Sequence, residues 1–109
     1  MAWNSQELNA VYNFPVDQVY TAAVYAVQSL KYNVRVADAS THSIQISFGM
    51  SLFSYGETMT VGCYEIEGGR TSVIFSSKSV LGTEIGSRSK NKKNIQKLIS
   101  AIPQFLPQT

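Results

Sequence analysis

One apolar stripe at helical spacing, followed by segments of alternating polarity, constrains the fold of this chain more than any other sequence feature. Between residues 16 and 30, apolar side chains recur at steps of three and four, as on one face of an α-helix. They are Val16, Val19, Tyr20, Ala23, Val24, Val27 and Leu30. Pro15 suits the start of a helix, because the first turn does not need its missing N–H group. The pattern predicts an amphipathic helix.

Segments with the period of β-strands lie on both sides of this helix. Residues 8–14 favour extended structure before it, and alternating segments follow it at 32–37, 43–49, 58–66 and 71–80. Glu67-Gly68-Gly69-Arg70 separates the last two segments and predicts a hairpin, because glycine accepts the positive φ of tight turns. A second helical stripe at 95–102 ends at Pro103.

The order of these elements predicts a two-layer α+β fold, β-α-β-β-β-β-α. The first helix returns the chain, so the first two strands should point the same way, and three hairpin-type connections then follow. We expect an antiparallel five-stranded sheet in the order 1-5-4-3-2, with two helices on one face. A chain of 109 residues has room for one core. We therefore expect a single domain over 1–109, with its core at about 7–102 and a C-terminal tail at 103–109.

The sequence offers few residues for catalysis or for metal binding. The chain has one histidine, His42 in a Ser/Thr-rich turn, and one cysteine, Cys63 in the middle of a strand. A catalytic Ser-His-Asp or Cys-His arrangement would have to use His42, which we expect to be a solvated turn residue, and Cys63 is expected to be a buried, inert thiol. Disulfides and zinc sites need more cysteine or histidine than the chain has. We expect no enzyme activity and no cofactor. The absence of a bilayer-length apolar run and of a signal-peptide pattern leads us to expect a cytoplasmic protein.

Cations cluster at the start of the second predicted helix. They are Arg88, Lys90, Lys92, Lys93 and Lys97, and no acid follows Glu84, whereas the rest of the chain has four cations and seven acids. Because a helix N-terminus also presents free N–H groups, we name Arg88, Lys90, Lys92 and Lys93 as a candidate anion-binding site for phosphate or a lipid headgroup. The simpler interpretation is a solvated face, since Lys90, Lys93 and Lys97 lie together opposite the apolar stripe.

Two uncharged features suggest contacts with partners. Leu52, Phe53 and Tyr55 lie in a connection between strands, where they either cover the end of the core or line a small apolar pocket. The outward side of the first helix suits a protein contact or is an ordinary exposed surface. Its residues are Gln18, Thr21, Ala22, Tyr25, Gln28 and Ser29. We do not expect sequence-specific nucleic-acid binding, because the outer sheet face lacks the aromatic motif of RNA-binding sheets.

Phe14-Pro15-Val16-Asp17-Gln18-Val19-Tyr20 and Leu30-Lys31-Tyr32-Asn33-Val34 resemble the opening of small bacterial βαββ modules, including those of BamC-type lipoproteins. Ser54-Tyr55-Gly56-Glu57 and the stretch from Gly86 to Ile95 are similar to uncharacterised bacterial domains. The resemblance implies a TATA-binding-protein-like or helix-grip fold, no enzyme activity and a role as an interaction domain.

The sequence therefore favours a non-enzymatic binding or interaction module that acts through protein–protein contact or self-association. The alternative is a domain that binds a small molecule, an anionic lipid or a phosphate. Such a domain would combine the apolar loop at 52–55 with the cations at 88–93. Both hypotheses stay open on the sequence alone.

Overall fold

The computed structural model describes the backbone of residues 4–48, 57–79 and 87–107 and the side chains of residues 7–47, 58–77 and 93–107. The main elements are β1 (Asn4–Tyr12), α1 (Val16–Ser29), β2 (Asn33–Asp38), β3 (Ser43–Phe48), β4 (Glu57–Ile66), β5 (Arg70–Ser79) and α2 (Ser87–Ala101). Short 3₁₀ turns occupy Glu67–Gly69 and Ile102–Phe105. Among the described helices, none is long and apolar enough to cross a membrane.

The five strands form one antiparallel sheet in the order β1-β5-β4-β3-β2. This arrangement confirms the predicted fold class and strand order. The hairpin between β4 and β5 also forms as predicted, with φ of 79° at Gly68 and 69° at Gly69. An L-residue is strained at such angles, which explains the paired glycines.

Both helices pack on one face of the sheet and enclose the core. The side chains that are completely buried include Phe75, Ile44, Ile46 and Met59 from the sheet and Val19, Val27, Ile95 and Leu98 from the helices. Their spacing is that of the predicted stripes, so local periodicity identified the core-facing residues of these elements. Two phenols fix α2 against this core: Tyr12 Oη donates to the carbonyl oxygen of Ile99 at 3.1 Å, and Tyr32 Oη to that of Asn94 at 3.3 Å.

The segment after Pro103 differs from the tail that the sequence suggested. The 3₁₀ turn Ile102–Phe105 packs on α1, and Leu106 is buried in the core cluster. Ala22 is also buried, although the helical pattern placed it on the outward side of α1. Pro103 thus ends the α-helix, but the chain continues to contribute to the core for several residues.

A β-bulge in β2 changes the strand alternation that the sequence shows. Val34 lies opposite Ile46, whereas Val36 lies opposite Gln45, so Arg35 is the extra residue. Opposed residues of an antiparallel pair point to the same side of the sheet, so Val34 faces the core side and Val36 the outer side. The sequence pattern had placed both valines on one face. An edge strand tolerates this irregularity because only one neighbour must stay in register.

Candidate functional site

The predicted anion-binding residues fall on the first two turns of α2, which begins at Ser87. Lys93 is the member of the set whose side chain the structure describes, and it lines a surface groove. The side chains of Arg88, Lys90 and Lys92 lie outside the described residues. The predicted apolar loop, with Leu52, Phe53 and Tyr55, also lies outside them. Neither prediction is tested beyond the placement of Lys93.

The groove lies between the end of α1 and the outer side of α2 and has a volume of about 610 Å³. Its lining consists of Ser29, Leu30, Lys93, Gln96, Lys97, Ser100, Ala101 and Gln104. Two of these residues are cations, four are neutral hydrogen-bonding side chains, and none of the lining residues is acidic. We call this feature the cationic groove.

A second candidate lies on the core face of the sheet, where the helices leave β2 uncovered. Val34 points to that face, yet 37% of its surface is exposed. Val34 lies opposite Ile46 on β3, Ile46 lies opposite Met59 on β4, and Met59 lies opposite Ser77 on β5. These four residues form one row across the core face of the sheet. This row, together with Tyr32 at the start of β2, forms what we call the β2 opening. The row begins at partly exposed Val34 on the sheet edge and continues through Ile46, Met59 and Ser77, which are completely buried.

Two hydroxyl groups on β5 are completely buried, and they differ in their partners. Thr71 Oγ1 donates to the carbonyl oxygen of Phe14 at 2.8 Å. Ser77 Oγ has no hydrogen-bond partner among the residues that the structure describes. A buried hydroxyl without a partner costs about 1–3 kcal/mol, so Ser77 is an unusual member of this core.

Ser77 is not among the site residues predicted from the sequence, although the sequence contains a signal for it. Ser77 follows Val73 and Phe75 at strand period, which places its hydroxyl on the core side of β5. A polar residue at a position that the strand alternation directs into the core is either hydrogen-bonded within the protein or available to contact a ligand. The sequence alone does not distinguish these, because the distinction depends on partners that are distant along the chain.

Among the described residues, His42 contacts Asp17 and Tyr20 but belongs to no larger cluster of titratable side chains. Its Nε2 lies 2.7 Å from Oδ1 of Asp17, and its ring meets that of Tyr20 edge-on at 5.5 Å between centroids. The Asp17 side chain is 91% exposed, so the pair contributes about 1 kcal/mol at most. Among the described residues, no three His, Cys, Asp or Glu side chains form a group that could hold a metal ion.

Cys63 is buried among core residues, and this burial determines its protonation. Burial raises the pKa of its thiol to about 12, because the thiolate loses its hydration. Burial also raises the pKa of Tyr12 to about 12. The negative charge that Cys63 acquires when it ionises is the second, smaller cause of this increase. Both groups are therefore neutral in the folded protein, and Cys63 is unsuited to act as a nucleophile.

These pKa values predict a loss of stability in alkali. The folded state holds the Cys63 proton more tightly than the unfolded chain, whose thiol titrates near 9.0. The contribution of this thiol to the free energy of unfolding should therefore be constant well below pH 9.0, begin to fall as the pH approaches 9.0 and continue to fall towards 12. Urea unfolding at a series of pH values in this window measures the fall, and Cys63→Ala should reduce its slope. Rapid reaction of the folded protein with a thiol reagent at neutral pH would contradict this description.

Comparisons of the sequence with protein-family models and with curated proteins find no match. Comparison of the structure finds similar solved structures. Ara h 8.0201 has a TM-score of 0.72 at 10% identity, over 95% of this chain and 97% of that one. Norcoclaurine synthase from Thalictrum flavum has a TM-score of 0.74 at 6% identity, over 94% and 86%. CalU16 from Micromonospora echinospora has a TM-score of 0.69 at 12% identity, over 93% and 74%.

These neighbours are small α+β proteins of the helix-grip, Bet v1-like type. The chain shares the helix-grip fold. At such low identities the likeness establishes the fold and nothing about chemistry. It confirms the helix-grip part of the expected resemblance. The likeness to BamC-type modules and to TATA-binding-protein-like folds stays a prediction.

Proposed function

We propose that this helix-grip chain is a non-enzymatic binding module that holds a small amphipathic molecule between its sheet and α2. The observation that carries the proposal is the Ser77 hydroxyl, fully buried on the core face and without a partner among the described residues. Buried polar groups are nearly always hydrogen-bonded, so a ligand with one polar group would satisfy Ser77 and bury its apolar part beside it.

The β2 opening is where such a ligand would enter, and the side chains along its row would have to move apart to admit it, because Ile46, Met59 and Ser77 are completely buried. Val34 is partly exposed on the core side, and Ile46 and Met59 continue the apolar row towards Ser77. Tyr32 stands beside the route and holds α2 at Asn94. An entering molecule therefore meets apolar side chains first and a hydroxyl at the inner end, which favours an amphipathic ligand over a strongly polar one.

The comparisons support a ligand site in this fold. The helix-grip neighbours are ligand-binding folds, and two of them are named a norcoclaurine synthase and an aromatase/cyclase. The non-enzymatic part of the proposal depends on this chain's own residues. Its one histidine pairs with exposed Asp17, and its one cysteine is buried and neutral. Contact with a protein partner stays a prediction.

Two valines of β2 provide a matched test of the binding site. Val34→Lys should weaken binding of the uncharged fluorescent amphipathic probe Prodan about tenfold or more, because it places a charge at the entrance of an apolar route. Val36→Lys adds the same charge on the same strand, but on the outer face, and should leave binding unchanged. Probe titration monitored by fluorescence measures both dissociation constants, and circular dichroism checks that both variants fold.

Each result of this comparison is informative. Equal losses for the two variants would mean that the charge acts from a distance, and the β2 opening would not be the site. Binding that survives Val34→Lys would also contradict the proposal. Weak binding of the probe by the unchanged protein would contradict it as well, since the proposed ligand class includes this probe.

A further inference from the structure

We propose that the outer surface of the two helices docks on an anionic lipid surface. The surface consists of the exposed aromatic pair Tyr25 and Phe105 and of Lys93 and Lys97 in the cationic groove, and we call it the aromatic–lysine surface. This inference goes beyond the proposed ligand site, because it concerns the opposite side of the helix layer and none of the residues of the β2 opening.

The aromatic pair is exposed although its members pack on each other. The ring centroids of Tyr25 and Phe105 are 6.0 Å apart, and the rings are tilted by 39°. Tyr25 is 52% exposed and Phe105 is 40% exposed. Large aromatic side chains of this kind are enriched at the level of lipid headgroups, where one end of a ring is apolar and the other is wet.

The cationic groove adjoins this pair. Ser29, which lines the groove, lies one helical turn after Tyr25 on α1, and Gln104 precedes Phe105 directly. The groove brings Lys93 and Lys97 together without an acidic side chain in its described lining. Asp17, the acidic residue of α1, lies at the opposite end of that helix, about 18 Å from Ser29. The aromatic–lysine surface is therefore positive beside its aromatic pair.

The type of cation favours a lipid surface over a protein partner. Protein interfaces are enriched in arginine and depleted in lysine, whereas this surface carries two lysines among its described residues and no arginine. Lysine also suits a lipid surface because its long stem can lie along apolar groups while its ammonium reaches the headgroups. Each cation near an anionic membrane strengthens binding about fivefold, so two lysines and two rings predict weak, salt-dependent association.

Co-sedimentation with vesicles tests the inference. We expect the protein to bind vesicles of phosphatidylcholine containing one third phosphatidylserine, to bind pure phosphatidylcholine much more weakly, and to lose binding at high salt. The double variant Lys93→Gln/Lys97→Gln should bind about 25-fold more weakly. Tyr25→Ser/Phe105→Ser should also lose most binding. The control Arg35→Gln/Arg70→Gln removes two exposed cations elsewhere and should change binding about twofold at most.

Four results would overturn the inference. If the control variant lost as much vesicle binding as the double lysine variant, the vesicles would be attracting the net charge of the protein and not this surface. Equal binding to vesicles without phosphatidylserine would exclude a role for the lysines. Full competition by soluble glycerophosphoserine or inorganic phosphate would indicate a small anion pocket rather than a membrane surface. An oligomer that dissociates when Tyr25 and Phe105 are replaced, seen by light scattering without vesicles, would assign the aromatic pair to contact between copies of the chain.

Discussion

Leu106→Ala is expected to lower the free energy of unfolding by about 2–5 kcal/mol. The reason is that Leu106 is buried in the core cluster, so its removal leaves a cavity beneath the 3₁₀ turn Ile102–Phe105. Phe105→Ala, one residue earlier, removes a larger side chain that is 40% exposed and that contacts Tyr25. Its expected cost is about 1 kcal/mol, the value of an exposed aromatic pair.

Urea unfolding of the two variants and the unchanged protein measures these differences. The larger loss should come from the smaller side chain, which is the reverse of what residue size would suggest. If the two variants lose similar amounts, or if Leu106→Ala costs less than Phe105→Ala, then Leu106 is not part of the core. The segment from Pro103 would then be the tail that the sequence first suggested.

Removing each of the two buried hydroxyls of β5 should change the free energy of unfolding in opposite directions. Thr71→Val keeps the shape of the side chain but leaves the carbonyl oxygen of Phe14 without its donor. It should lower the free energy of unfolding by about 1–3 kcal/mol. Ser77→Ala removes a buried hydroxyl that has no partner among the described residues and should raise the free energy of unfolding by up to about 1 kcal/mol.

Denaturant unfolding in the absence of added ligand tests this pair. A substantial loss of stability in Ser77→Ala would show that its hydroxyl is already hydrogen-bonded, and the main support for the proposed ligand site would disappear. A neutral Thr71→Val would show that the Phe14 carbonyl finds another donor. The comparison therefore separates a hydroxyl that serves the fold from one that is free to serve a ligand.

Local patterns were sufficient to predict most of the fold. The stripe on α1, the alternation of β3 to β5 and the two glycines of the hairpin each determine a structure within a few residues. Strand order then followed from connectivity, because short hairpin connections join neighbours and the first helix returns the chain. In these elements, propensity and tertiary packing favour the same conformation.

The β2 bulge and the burial of Leu106 could not be predicted in this way. The sequence of β2 alternates without interruption through Val34 and Val36, and the extra residue at Arg35 appears only in the pairing with β3. Leu106 follows a proline that ends a helix, a position typical of a tail. Its burial depends on the 3₁₀ turn that packs on α1, and that contact joins residues about 80 positions apart.

The candidate sites depend on contacts between distant parts of the chain more than the fold does. The charge pattern led to Lys93, which lines the cationic groove, but its neighbours there come from α1 and from the 3₁₀ turn. Ser77 and Thr71 are both polar residues at positions of β5 whose side chains point into the apolar core. Only the carbonyl of Phe14, 57 residues from Thr71 along the chain, distinguishes them. Side-chain partners of this kind are a property of the folded chain and are not contained in any local segment.

The bulge at Arg35 also affects how the sheet can grow beyond one molecule. β1 pairs with β5 over nine consecutive residues, so its free edge offers a regular row of backbone N–H and C=O groups. The bulge breaks that regularity on β2, and irregular edges are poor templates for another strand. Among the described strands, β1 is therefore the edge with the more regular backbone. A fibre grows only if strands add at both edges of each sheet, so the irregular edge at β2 opposes fibre growth.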